Sequence, residues 1–99
     1  MTATLHGDGA IRRDSLHGSS IENTYAGVLS FMRRKYTRDL DGVDVAISGV
    51  PLDLATTFRS GARLGPAAVR AASVQLAELH PYPWGFDPFE TLAVTDYGD

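Results

Sequence analysis

Gly49-Val50-Pro51-Leu52-Asp53-Leu54-Ala55-Thr56-Thr57-Phe58-Arg59-Ser60-Gly61-Ala62-Arg63-Leu64-Gly65-Pro66-Ala67-Ala68-Val69-Arg70 decides the reading of this chain. Upstream, Val43-Asp44-Val45-Ala46-Ile47-Ser48-Gly49-Val50 is rich in Val and Ile with weak alternation. That pattern predicts a buried parallel strand, covered on both faces. Pro51 stops it. Downstream, Gly65-Pro66 opens a helix, because Pro at the first helical position forfeits no hydrogen bond. Val69, Ala72, Leu76 and Leu79 recur at helical spacing, which predicts a helix from Pro66 to about His80 packed on the 44–50 strand. His80-Pro81 ends it. The quoted stretch therefore runs from a strand's C-terminal end into a helix, where open α/β sheets bind ligands.

The rest of the chain extends this unit. Tyr82-Pro83-Trp84-Gly85-Phe86-Asp87-Pro88 reads as an aromatic, turn-forming connection, and Leu92-Ala93-Val94-Thr95-Asp96 as a second strand. Strand, helix, strand in this order is a βαβ unit with parallel strands. Two parallel strands leave open edges, which predicts incomplete folding or self-association of the chain by itself. Ahead of the unit, Tyr25, Val28, Leu29 and Met32 fall at i, i+3, i+4 and i+7, predicting a short helix over 21–36 capped by Asn23 or Thr24. Arg33, Arg34, Lys35 and Arg38 then read as a solvated basic face near the helix end, with an anion site as the alternative. Residues 1–24 are polar and Gly-rich and read as a flexible tail, in which His6 and His17 are solvated. Residues 25–99 form the structured part.

Composition narrows the function classes. The 99 residues make one domain at most. A hydrophobic fraction of 43% can build a core. A net charge of -3 argues against nucleic-acid or acidic-membrane binding. The absence of cysteine excludes disulfides, thiolate metal sites and a Cys nucleophile. No apolar run approaches the ~20 residues of a membrane span. No signal-peptide core is visible at the N-terminus, so a cytoplasmic location is expected. A phosphate site at the Gly65-Pro66 helix start is a rival class. The phosphate-loop and dinucleotide fingerprints are absent, however, and Pro66 removes one donor.

Gly49-Val50-Pro51-Leu52-Asp53, Thr56-Thr57, Arg59-Ser60-Gly61-Ala62-Arg63 and Gly65-Pro66 with Arg70 resemble the opening of the agmatinase branch of the arginase-like ureohydrolases. The resemblance continues through Ala77-Glu78-Leu79-His80, Pro83-Trp84-Gly85-Phe86-Asp87 and Val94-Thr95-Asp96-Tyr97-Gly98-Asp99, covering about residues 25–99. Guanidinobutyrases are similar over the same positions. The resemblance implies a three-layer α/β/α sandwich, of which this chain supplies the opening βαβ unit. It also implies hydrolysis of a linear guanidino compound to urea and an amine by two manganese ions, whose bound hydroxide is the nucleophile.

The family's metal motifs are Gly-Gly-Asp-His, Asp-Ala-His-x-Asp and Asp-x-Asp-x-x-Asp-Pro. The first two are absent, and the chain stops before the positions where all three fall. Asp39-Leu40-Asp41-Gly42-Val43-Asp44 has the spacing of the third. It precedes the first strand and lacks the Pro, so it reads as a polar turn. The expectation is an N-terminal segment that is inactive by itself and binds no metal. Its partners would be a further copy or a full-length subunit. A non-catalytic segment docking on a full-length relative is the alternative.

Within the loop, Asp53 and Thr56 are the candidate substrate-binding residues, since a carboxylate suits a cationic guanidino group. The competing reading gives Asp53 a local Asx turn. Arg59 and Arg63 would repel such a substrate and are expected to pair with carboxylates. His80 is expected at a helix end. No residue is assigned a catalytic, cofactor or metal role.

Overall fold

The computed structural model describes residues 15–18, 25–77 and 85–99. The elements run β1 (Lys35–Tyr36), β2 (Val45–Ser48), α1 (Gly65–Ser73), α2 (Pro88–Thr91) and β3 (Val94–Gly98). Short 3-10 turns stand at Phe31–Arg33, Ala62–Leu64 and Val74–Leu76. The sheet has three strands in the order β1-β3-β2, all parallel. The expected βαβ unit is there, with β2 and β3 adjacent and α1 between them in sequence. A third strand, β1, lies on the far side of β3, so β3 is central and not an edge. The register pairs Lys35 with Thr95 and Tyr36 with Asp96 on one side, and Val45 with Val94 through Ser48 with Gly98 on the other. Between Ile47 and Ser48 the ladder slips, leaving Tyr97 as an extra residue. The slip is a bulge, which bends the strand and brings Gly98 to φ +90.

Three expectations need correction. The 43–50 strand forms as β2, but Val45, Ala46 and Ser48 are exposed and Ile47 is half-buried. The covered strand is β3, where Val94, Thr95, Asp96 and Gly98 are buried. A run of Val and Ile fixes the strand; its position in the sheet decides which faces are covered, and β2 sits at the edge.

The helix over 21–36 does not form within the described residues. Residues 25–30 are turn and extended chain, 31–33 is a 3-10 turn, and Lys35–Tyr36 is strand. The caps Asn23 and Thr24 lie outside the described residues. Met32 and Arg33 take left-handed angles, φ 51 and φ 56. Such angles cost a non-glycine residue about 1–2 kcal/mol. Long-range bonds hold them: Phe31 N–H donates to Asp96 Oδ2 at 2.8 Å, and Met32 N–H to Ser73 Oγ at 2.8 Å. Tertiary partners override the local spacing.

Finally, α1 starts where expected, at Gly65-Pro66, but does not pack through Val69, Ala72 and Leu76, which are exposed. It packs on the 31–33 turn instead, and Ser73, Val74 and Ala77 are the buried residues of its C-terminal end. Leu79 and His80 lie outside the described residues, as do 82–84 of the aromatic connection. The later part of that connection caps α2: the Asp87 side chain accepts Phe89 N–H at 2.9 Å.

Candidate functional site

The C-terminal edge of the sheet gathers the chain's charged chemistry. β2 delivers Ser48 and Gly49 to this edge, and β3 delivers Gly98 and Asp99. Arg70, from α1, reaches across to Asp96 and Asp99. Its Nε donates to Asp96 Oδ2 at 2.7 Å and its Nη2 to Asp96 Oδ1 at 3.0 Å, a two-pronged contact. Nη1 donates to Asp99 Oδ2 at 2.9 Å, and Nη2 lies 2.8 Å from Asp99 Oδ1. Asp96 is fully buried and the Arg70 side chain is 13% exposed.

A buried carboxylate needs several donors, and Asp96 has them. Besides Arg70, Oδ2 accepts Phe31 N–H and Oδ1 accepts Gly98 N–H at 3.0 Å. Burial pushes its carboxyl up, but the Arg70, Phe31 and Gly98 bonds outweigh this and hold it below the usual carboxylate range. Asp99 is lowered as well, first by its bonds to Arg70. Arg70 is raised in turn, first by Asp99 and then by Asp96.

Beyond the ladder, Gly49 N–H donates to Asp99 Oδ1 at 3.1 Å and Ser48 Oγ to the Gly98 carbonyl at 2.6 Å. A Cβ at position 49 would run into Asp99 Oδ1 and sit 2.7 Å from Pro66 Cβ, so only glycine fits. An apolar groove of about 270 Å³ opens beside this junction, lined by Phe31, Ile47, Ser48, Gly49, Pro66, Val69 and Arg70. It occupies the space between β2 and α1 that the sequence pattern assigns to packed side chains.

The two sequence-selected residues, Asp53 and Thr56, meet each other, outside that groove. Thr56 Oγ1 donates to Asp53 Oδ1 at 2.8 Å. Gly61 N–H donates to Asp53 Oδ2 at 2.7 Å, and Arg63 Nη1 to the same oxygen at 2.8 Å. The Asp53 side chain is 5% exposed, whereas that of Arg63 is 60% exposed. Thr56 is the first cause holding the Asp53 carboxyl below its usual range, followed by the Gly61 amide. Asp53 thus clamps the loop onto itself across eight residues, a wider span than an Asx turn. Arg63 pairs with a carboxylate as expected, while Arg59 stacks on its neighbour Phe58 at 5.3 Å.

The basic cluster is a solvated face only in part, at the exposed Arg38, with Lys35 half-buried. Arg33 and Arg34 are buried. Arg33 donates to the Val28 carbonyl at 2.7 Å and also to that of Ala26. Arg34 donates to the Gly18 carbonyl and lies 4.1 Å from the Phe89 ring centroid. Gly18 N–H in turn donates to the Phe89 carbonyl at 2.8 Å. Arg38 donates to the Asp99 carbonyl at 3.1 Å and stacks over Tyr97.

The aspartates at 39–44 form the expected polar turn. Asp39 Oδ1 accepts Asp41 N–H at 3.0 Å, and Asp44 Oδ2 accepts Ala93 N–H at 2.9 Å. Among the described residues, no three His, Asp or Glu side chains stand close enough to hold a metal ion. No described helix is long and apolar enough to cross a membrane.

Sequence reasoning missed the Arg70–Asp96–Asp99 cluster. The available signal was an Arg in the second turn of a Gly-Pro-started helix together with Asp-x-x-Asp at the end of the next parallel strand. Both belong to the same sheet edge in a βαβ unit.

The Arginase family model matches residues 43–99. An agmatinase of Chromobacterium violaceum is 81% identical over 95 residues, which is 96% of this chain and 30% of that protein. An agmatinase of Salmonella paratyphi B is 52% identical over 65 residues, 65% of this chain and 20% of that protein. The crystal structure of a hypothetical agmatinase from Burkholderia thailandensis superposes with TM-score 0.90 at 86% identity, covering 98% of this chain and 31% of that one. The chain thus spans about a third or less of the length of the relatives it matches.

Proposed function

Since this chain belongs to the arginase family, we propose that it is the N-terminal part of an agmatinase-type ureohydrolase, which hydrolyses a linear guanidino compound such as agmatine to urea and an amine. The observation that carries this reading is the 81% identity to an agmatinase over nearly the whole chain. 4-Guanidinobutanoate is the competing substrate. A cytoplasmic location suits a cysteine-free chain of this kind.

The family's manganese pair finds no ligand set among the described residues. Residues 1–99 alone are therefore expected to be inactive. In the complete protein the present residues would shape the sheet edge. Asp53, deprotonated at neutral pH, and Thr56 are the proposed substrate-side residues. A cation reaching Asp53 replaces the contact with the well-exposed Arg63.

The test is urea release with added manganese, from agmatine and from 4-guanidinobutanoate. One sample is the chain alone. The other is a fusion of residues 1–99 to the remainder of the Burkholderia thailandensis protein. The reading expects turnover by the fusion and none by the chain above a metal-only blank. A fusion that folds but releases no urea from either compound overturns it.

A second reading, docking on a full-length ureohydrolase subunit or on another copy, is favoured by the exposed Val50, Leu52, Leu54 and Phe58. Sedimentation of the chain with and without the Burkholderia protein tests it; two independently sedimenting species would reject it.

A further inference from the structure

We propose that Arg70 is a positioning residue, which sets the geometry of the sheet edge from which the 50–64 loop departs. The proposal rests on the ureohydrolase reading for its effect on turnover, but not for its effect on the edge.

The geometry is specific to a guanidinium. Nε, Nη1 and Nη2 are all engaged, on two carboxylates that stand on either side of the β3 bulge, Asp96 before it and Asp99 after it. A planar fork can span them; a lysine ammonium offers one point of charge. Asp96 alone would fix α1 to the middle of the sheet. Asp99 adds the step that matters for the loop, because its Oδ1 also accepts the Gly49 amide. Gly49 stands just past the last ladder pair, Ser48 with Gly98. From there Val50 and Pro51 lead directly to Asp53 and Thr56. The chain of contact is Arg70 to Asp99 to Gly49 to the loop, and the absent Cβ at Gly49 lets the strand end press against Pro66 and Asp99. Arg70 also lines the groove beside this junction. It makes no hydrogen bond to Asp53 or Thr56, so its influence on them passes through the backbone origin of the loop. A displacement on the order of 1 Å at a site can cost on the order of a hundredfold in rate.

The experiment uses Arg70→Met, Arg70→Lys and Asp99→Asn in the fusion described above, and Asp99→Asn also in residues 1–99. Asp99→Asn keeps the buried Asp96 pair and so spares the fold. The expected result is a fall in kcat/KM of about 10–100-fold for Arg70→Met, carried mainly by KM. Arg70→Lys recovers only part of the loss, and Asp99→Asn loses about tenfold. In residues 1–99, Asp99→Asn shifts the amide resonances of Gly49, Val50 and 52–56 while those of β1 stay in place.

Unchanged kcat/KM in Asp99→Asn with a lowered melting temperature would mean a merely structural role and overturn the proposal. Unmoved amide resonances at Gly49, Val50 and 52–56 would overturn it as well. If Arg70→Met does not fold, Asp99→Asn decides. If the unsubstituted fusion has no turnover, the ureohydrolase reading fails, and the resonance shifts still decide the edge claim.

Discussion

Two regions of this molecule use opposite chemistry for opposite ends. Around β3 the interior is held by charge: Asp96 is fully buried and takes bonds from α1, the 31–33 turn and its own strand end. Around β2 and the 50–64 loop the sequence is apolar, yet Val50, Leu52, Leu54 and Phe58 face outward; the ladder to β3 holds the strand, and the side-chain bonds of the loop converge on one carboxylate, Asp53. Hydrophobic residues drive folding only where something covers them. Here the covering elements lie over β3, and core-like composition at β2 becomes surface.

The largest effect should come from removing the interior charge. Asp96→Ala leaves Arg70 and two amides without their acceptor, and breaking a buried pair costs about 3–5 kcal/mol. Against a typical total of about 5–15 kcal/mol, this removes on the order of a third to a half of the stability. The expected outcome in a denaturant titration is a midpoint lowered by a similar fraction.

Acid should act on the same point. Asp96, Asp99 and Asp53 are all held below the usual carboxylate range. Their contribution is complete above the unfolded value of about 4, and is lost as pH falls through that value toward the lower folded ones. A denaturant midpoint that stays level from pH 7 down to pH 2 would break the comparison.

Next in size is the junction of the two regions. Gly49→Ala forces Pro66 or Asp99 to move, at about 1–3 kcal/mol by analogy with overpacked cores. A wild-type midpoint would show that the junction is looser than its distances.

A smaller contrast separates two neighbours at the end of α1. Val74 is 2% exposed and Leu76 is 54% exposed. Val74→Ala should cost about 1–3 kcal/mol, and Leu76→Ala within about 0.5 kcal/mol. Equal losses would restore the packing that the helical spacing suggests.

The smallest effect on stability belongs to Asp53→Asn, which loosens the loop clamp. In the active fusion it should raise KM for a cationic substrate with little change in kcat. Unchanged KM would remove Asp53 from the substrate side.

These contrasts follow from what was legible in the residues and what was not. The Gly65-Pro66 start of α1, the β2 and β3 strands and their parallel pairing were legible, because they rest on local patterns and chain order. The turn chemistry of 39–44 was legible for the same reason. β1 was not, since two residues in a ladder carry no periodicity. Residues 25–32 have helical spacing but were claimed by partners distant in sequence, Ser73 and Asp96. Arg33 and Arg34 look like surface charge until their carbonyl partners are known. Asp53 and Thr56 were correctly placed in one loop, but their mutual hydrogen bond is a property of the folded loop, which no spacing rule predicts.

Amide hydrogen exchange on residues 1–99, resolved by residue, tests the contrast most directly. The Phe31 and Gly98 amides, bonded to the buried Asp96, should be among the slowest, and the 54–60 loop amides should exchange nearly unprotected. Asp96→Asn should erase the protection at Phe31 and Gly98. Protection in the loop equal to that at Phe31 and Gly98, or fast exchange at those two amides in the unsubstituted chain, would contradict the account.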